Sequence, residues 1–196
     1  ALGLIFKVNH RYSFESSEED DQFLEGTGSM ILDRPNKIVY ACLSPRTNIF
    51  LLDRFCLLMN YQLVSFFSTD QNNKEIYHTN VMMAIADKYA VVCLESIRDE
   101  DKRNEVIHSL ENSGKEIIEI SFDQVLQFAG NMLQVEGSGG QKYMVMSERA
   151  YNSLSKEQIN AIEMYDKILS IPINNIEKYG GGSVRCMMAE VFLPKK

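Results

Sequence analysis

A cysteine, a histidine and a carboxylate at regular spacing form the first pattern with chemical content. Glu25, His78, Asn131 and Cys186 stand 53, 53 and 55 residues apart. A thiolate can attack an electron-poor carbon, a histidine can move protons near neutrality, and a carboxylate can orient that histidine. Converging on one site, they would make the constellation for covalent catalysis by a thiolate. Cys186 follows the run Gly180-Gly-Gly-Ser-Val-Arg, whereas Cys42, Cys56 and Cys93 lie inside the apolar runs ACL, FCLLM and VVCL. Buried thiols of that kind, with no C-x-x-C pair, suit a reducing compartment and give no zinc or redox motif. His10 and His108 have no comparable context.

The elements that must position these residues recur. Ser29–Leu32 and Lys37–Leu43 read as strands around the turn Asp33-Arg-Pro-Asn36. A helix follows over Asn48–Met59, with Ile49, Leu52, Phe55, Cys56 and Met59 on one face, and then a strand over Gln62–Phe67. The same order returns as Val81–Ala86, Tyr89–Leu94, a helix over Asp101–Ser113 stopped by Gly114, and Glu116–Ile120. It returns again as Met132–Val135, Lys142–Ser147 across Gly137-Ser-Gly-Gly140, a helix over Ser155–Tyr165 with Ser155 and Gln158 placed for a capping box, and Lys167–Ile171. A fourth opening at Cys186 leads into one more strand, Met187–Leu193. The acidic stretch 15–21 reads as a solvated loop. The openings at Ser29, Asn80, Asn131 and Cys186 recur every 51, 51 and 55 residues. A strand–strand–helix–strand period of this length points to a ring or array of equivalent units that share a core. Equivalent openings in such a ring face one axis.

Composition bounds the rest. The 196 residues carry a formal net charge of −7 and are 45% hydrophobic and 24% charged, which describes a folded chain rather than a disordered one. No basic patch suits nucleic acid, and no apolar run reaches the roughly 18 residues of a membrane span.

Four strings, LEGTGSM, LSPRTN, YHTN and GGGSVRCMMAE, together resemble the guanidine-modifying enzymes of the pentein superfamily. These comprise arginine deiminase, dimethylarginine dimethylaminohydrolase and the amidinotransferases, and the likeness is strongest to the bacterial arginine deiminase-related and citrulline-utilisation hydrolases. It runs from Phe23 to Pro194. It implies an α/β fold, a pentein-type propeller of five strand–strand–helix–strand blades around a central site. Members of the family are longer, so the expectation is a single partial propeller over 1–196 that lacks the first part of the family domain.

The resemblance also implies roles. Cys186 matches the nucleophile and His78 the general acid/base. Glu25 matches the acid of the E-G-G-D or D-G-G-D motif, where it would either hold His78 in one tautomer or accept hydrogen bonds from substrate nitrogens. The motif's second carboxylate is missing, since its place holds Gly28. Arg46 in Ser44-Pro-Arg-Thr-Asn48 matches the arginine that pairs with a substrate α-carboxylate. Asn80 stands where deiminases carry the Asp of H-x-D. A neutral amide there suits a neutral ureido group better than a guanidinium, so citrulline is expected ahead of arginine. Asn131 either lines the site or caps its own turn. The expected partner is a small amino acid in the cytoplasm, with no metal, organic cofactor, nucleic acid or membrane, and a homo-oligomer stays open. The competing readings are an amidinotransferase, in which an amine replaces water, a non-catalytic binding protein on the same fold, and an inactive piece.

Overall fold

A computed structural model describes residues 2–196. Its helices are α1 Leu2–Ile5, α2 Gly26–Ser29, α3 Ile49–Met59, α4 Glu100–Asn112, α5 Phe122–Leu126, α6 Glu148–Ser153, α7 Lys156–Glu163 and α8 Asn174–Gly180. Its strands are β1 Ile31–Asp33, β2 Ile38–Cys42, β3 Gln62–Phe66, β4 Met83–Ile85, β5 Tyr89–Val92, β6 Glu116–Glu119, β7 Leu133–Glu136, β8 Lys142–Ser147 and β9 Lys167–Ile171.

The strands form three sheets of three, ordered β1-β2-β3, β4-β5-β6 and β7-β8-β9. In each, the first two strands are an antiparallel hairpin, and the third lies parallel to the second after a helical crossover. The repeat is therefore an α/β blade with the order that the sequence periodicity predicts. The first strands, β1, β4 and β7, pack side by side.

Each middle strand explains its own composition. All five residues of β2 and all four of β5 are buried. Side chains alternate along a strand, so β2 serves two cores. Tyr40 and Cys42 join the large core that runs through all three sheets, while Val39 and Ala41 face Leu52 and Cys56 of α3. The crossover helices begin on side-chain caps. Asn48 Oδ1 accepts from Phe50 and Leu51 N–H, and Ser155 with Gln158 completes the expected capping box of α7. Gly139 and Gly140, at φ +91° and +81°, supply the left-handed turn between β7 and β8.

Two expectations are corrected. The acidic stretch is not an open loop: Glu15–Asp20 winds into a 3-10 helix. The fourth strand does not form either. Val184–Met187 is a short 3-10 helix, and no strand follows it. The opening strand of every other unit needs an antiparallel partner, and none lies beside 187–193 among the described residues. The Arg185 guanidinium instead donates to the Met188 carbonyl at 3.1 Å and pairs with Glu190 at 3.0 Å. It thus satisfies in the turn what a ladder would otherwise satisfy.

Candidate active site

The four spaced residues all lie where a first strand opens or would open, and contacts link them in two groups. In the first, His78 Nε2 meets Glu25 Oε2 at 2.6 Å, and the Arg46 guanidinium lies 3.7 Å from the same oxygen. The local sequence places each of them. Gly26 takes φ +54°, which turns the chain directly after Glu25. Ser29, fully buried, accepts from the Glu25 N–H at 2.9 Å and donates to the Arg46 carbonyl at 2.8 Å. One hydroxyl thus ties the acid's loop to the arginine's loop.

His78 is anchored from below by its neighbour. Thr79 Oγ1 donates to the Ser29 carbonyl at 2.5 Å and accepts from Cys42 N–H at 2.9 Å. The Tyr77 ring lies 4.9 Å from the His78 ring, and the Arg46 guanidinium also sits 4.9 Å from Tyr77. The imidazole rests on Gly28. A Cβ at that position would fall 3.0 Å from both Nδ1 and Cε1 of His78. With Nε2 facing the carboxylate, Nδ1 lies over Gly28, in the space a bare glycine leaves.

The second group surrounds the thiol. Asn131 is buried, and its Nδ2 donates to the Asn80 carbonyl at 3.0 Å and to Cys186 Sγ at 3.3 Å, while its Oδ1 accepts from the Arg185 N–H at 3.0 Å. Asn80 lies two residues beyond His78 on the same 3-10 turn, Thr79–Val81, so this link joins the thiol to the histidine's turn. Asn80 is itself buried, and its Oδ1 has no hydrogen-bond partner among the described residues. Two glycines permit the close approach. A Cβ on Gly130 would run into the Val81 carbonyl oxygen and lie 2.9 Å from Met82 Cα, and one on Gly182 would lie 3.4 Å from Cys186 Sγ.

The thiols divide as their sequence context predicts. Cys186 is exposed, and Cys42, Cys56 and Cys93 are buried and unpaired. Burial pushes the Cys42 thiol up, raises Cys56 to about 11 and, helped by Glu95, raises Cys93 to about 12, so these three stay protonated and inert. No group of three His, Cys, Asp or Glu side chains among the described residues is arranged to hold a metal. Among the described residues no helix is long and apolar enough to cross a membrane.

All six predicted site residues therefore fall in these two linked groups. Ser29, Thr79 and Gly130, which hold the groups together, carry no chemistry of their own, and sequence reasoning passes over them. The nearest signal was position: each adjoins or closely follows a residue singled out for reactivity.

Repeated α/β blades with a Glu–His pair and an exposed cysteine at their openings define the pentein class of guanidine-modifying folds. A family model for eukaryotic N,N dimethylarginine dimethylhydrolase matches residues 4–193, and the chain belongs to that family. Solved structures share the fold at low identity. The N-terminal domain of ArgZ, an arginine dihydrolase from the ornithine–ammonia cycle in cyanobacteria, was solved as a cysteine-to-serine mutant bound to substrate. It superposes with a TM-score of 0.66 at 17% identity, over 87% of this chain and 58% of that one. AgrE, as a cysteine-to-alanine mutant with L-arginine, gives 0.69 at 18% identity over 88% of this chain and 24% of that one. Agmatine deiminase from C. jejuni, a cysteine-to-serine mutant with substrate bound, gives 0.51 at 12% identity over 96% of this chain and 66% of that one. The chain thus spans little more than half of the ArgZ domain it resembles. No curated protein matches it by sequence.

Proposed function

We propose that the protein is a cysteine-dependent hydrolase acting on the guanidino or ureido C–N bond of a small amino acid. The observation that carries this is the Glu25–His78 pair at 2.6 Å, which leaves Nδ1 free, in a chain whose one exposed thiol is Cys186. The Cys186 thiolate attacks the central carbon, and the tetrahedral species collapses as His78 protonates the departing nitrogen. A covalent thio-adduct remains. His78, now neutral, takes a proton from water, and the resulting hydroxide attacks the adduct and expels the Cys186 thiolate, which restores the thiolate and the protonated His78 of the first step. Glu25 orients His78 and favours its charged form during the first step. Arg46, whose side chain is half exposed beside Glu25, pairs with the substrate α-carboxylate. These units form part of one propeller domain.

The substrate class follows the compounds named for the relatives, which are N,N-dimethylarginine for the family and L-arginine for AgrE. Within that class we propose that Asn80 favours citrulline over arginine. Its unpartnered Oδ1 accepts a substrate N–H, and its amide donates to a ureido oxygen that a guanidinium lacks. The free thiols fit the cytoplasm.

The test uses the full reading frame with arginine, citrulline and N,N-dimethylarginine, measuring amine or ammonia release and trapping the adduct for mass spectrometry. Cys186→Ser abolishes turnover and the adduct, while Cys42→Ser, Cys56→Ser and Cys93→Ser chiefly lower stability. Turnover retained in Cys186→Ser overturns the mechanism. A clear preference for arginine over citrulline overturns the assignment of Asn80.

A further inference from the structure

We infer that Asn131 is a positioning residue for the nucleophile, holding and polarising the Cys186 sulfur rather than reading the substrate; this rests on the covalent reading above. Its side chain is committed to the protein on three sides. The Nδ2 group has two hydrogens, and the two donations, to Asn80 O at 3.0 Å and Cys186 Sγ at 3.3 Å, use both. Oδ1 takes the Arg185 N–H at 3.0 Å. The orientation is forced. A flipped amide would set an oxygen against the Asn80 carbonyl and the sulfur, and would set an NH₂ against the Arg185 N–H. With its side chain buried, those groups would have no water to turn to.

The consequence is chemical as well as structural. An N–H aimed at sulfur stabilises a thiolate more than a thiol, because a hydrogen bond to a charged acceptor is the stronger one. The same side chain grips the backbone just before the nucleophile and the backbone just after His78. It therefore sets the distance between nucleophile and proton carrier from the third blade. That is the third equivalent opening in use, with Asn131 holding rather than reacting.

Two isosteric changes test this through the thiol alone. Asn131→Asp keeps an acceptor for Arg185 N–H but loses both donors and faces the sulfur with an oxygen. Asn131→Leu loses all three bonds. The alkylation rate of Cys186 by iodoacetamide at pH 8 falls about tenfold or more in each, as expected for losing a hydrogen bond to a charged sulfur. It falls further in Asn131→Asp than in Asn131→Leu, an order that loss of structure alone would not produce. Should either variant fail to fold, the unmodified protein still decides. Comparing it with Cys186→Ala by NMR, one side-chain amide proton of Asn131 moves, the one on sulfur, while its partner on Asn80 stays. Unchanged alkylation in Asn131→Asp, or two unmoved amide protons, overturns the inference. Alkylation needs no substrate, so absent turnover in the unmodified protein would count against the hydrolase reading alone.

Discussion

Adding one methyl group at Gly28 should slow the chemistry without unfolding the protein. A Cβ there lies 3.0 Å from His78 Nδ1 and Cε1 and 3.2 Å from Cγ. Ordinary contacts between such atoms fall at about 3.5–4.0 Å, so the ring must retreat by about half an ångström. It cannot slide toward Glu25, whose oxygen is already 2.6 Å from Nε2. The ring must tilt, and the methyl also covers Nδ1, the nitrogen assigned to proton transfer. A misplacement of about 1 Å costs about a hundredfold in rate, so half of that predicts about a tenfold loss in kcat, or about 1.4 kcal/mol. Gly28→Asp should do worse, although it restores the family motif's second carboxylate, because the larger group needs space the imidazole occupies. Gly26→Ala is the control: its Cβ meets nothing within 4 Å but sits at φ +54°, so it should cost stability of about 1 kcal/mol and leave the ring in place. Steady-state kinetics and thermal melts on the three variants read the two effects separately. A Gly28→Ala protein with kcat within twofold of the original would refute the placement of His78.

Gly130→Ala sets a methyl against the backbone of Val81 and Met82, which cannot swing aside. The second and third blades must part at a cost of about 3 kcal/mol, or about 6–12 °C in Tm, whereas Gly137→Ala, whose tightest neighbour is the Tyr143 ring at 3.2 Å and which meets the Gln141 carbonyl oxygen at an ordinary 3.6 Å, should cost under about 1 kcal/mol. Lys115 and Asp33 form a buried ion pair at 2.9 Å, with side chains 2% and 1% exposed. Lys115→Met strands the carboxylate and should cost about 3–5 kcal/mol in urea unfolding, most of it recovered in the double variant with Asp33→Asn. The raised thiols give alkaline sensitivity. Cys56 and Cys93 titrate near 9 when unfolded but near 11 and 12 when folded, so their contribution is complete below pH 9 and is lost as pH rises through 11 to 12. Urea midpoints should fall over that window, and less steeply in Cys93→Ala.

The blades were legible because their signals are local. Continuous short apolar runs mark β2 and β5, helical spacing marks α3, and Ser155 with Gln158 marks the start of α7. The 51-residue period then located Asn131, whose own surroundings say little. What escaped is non-local. Whether 187–193 becomes a strand depends on a partner beside it, and its residues are those of a good strand either way. Thr79 reaches Ser29 across 50 residues of sequence, and no pattern around either residue announces the bond. The short helices α5 and α8 follow the last strands of the second and third blades, α6 lies in the third blade's own crossover, and all three lack the two or more turns that periodicity needs.

Equivalent openings explain how one repeat supplies unlike groups. Glu25, His78 and Asn131 each precede a first strand, so none pairs in a ladder or fills the core. The alternation that packs each blade is therefore untouched by what stands at its opening, and three blades and the turn after them can offer a carboxylate, an imidazole, an amide and a thiol on one framework. The cost falls on the joints. Each group must be held against a different blade, and the holders are small: Ser29 and Thr79 join the first opening to the second, and Gly130 and Asn131 join the second to the third and to the thiol. A serine, a threonine or a glycine suits a joint because it bonds or yields without displacing the larger polar side chain beside it. The relative placement of the carboxylate, the imidazole, the amide and the thiol therefore depends on the contacts between blades rather than on the packing within any one of them.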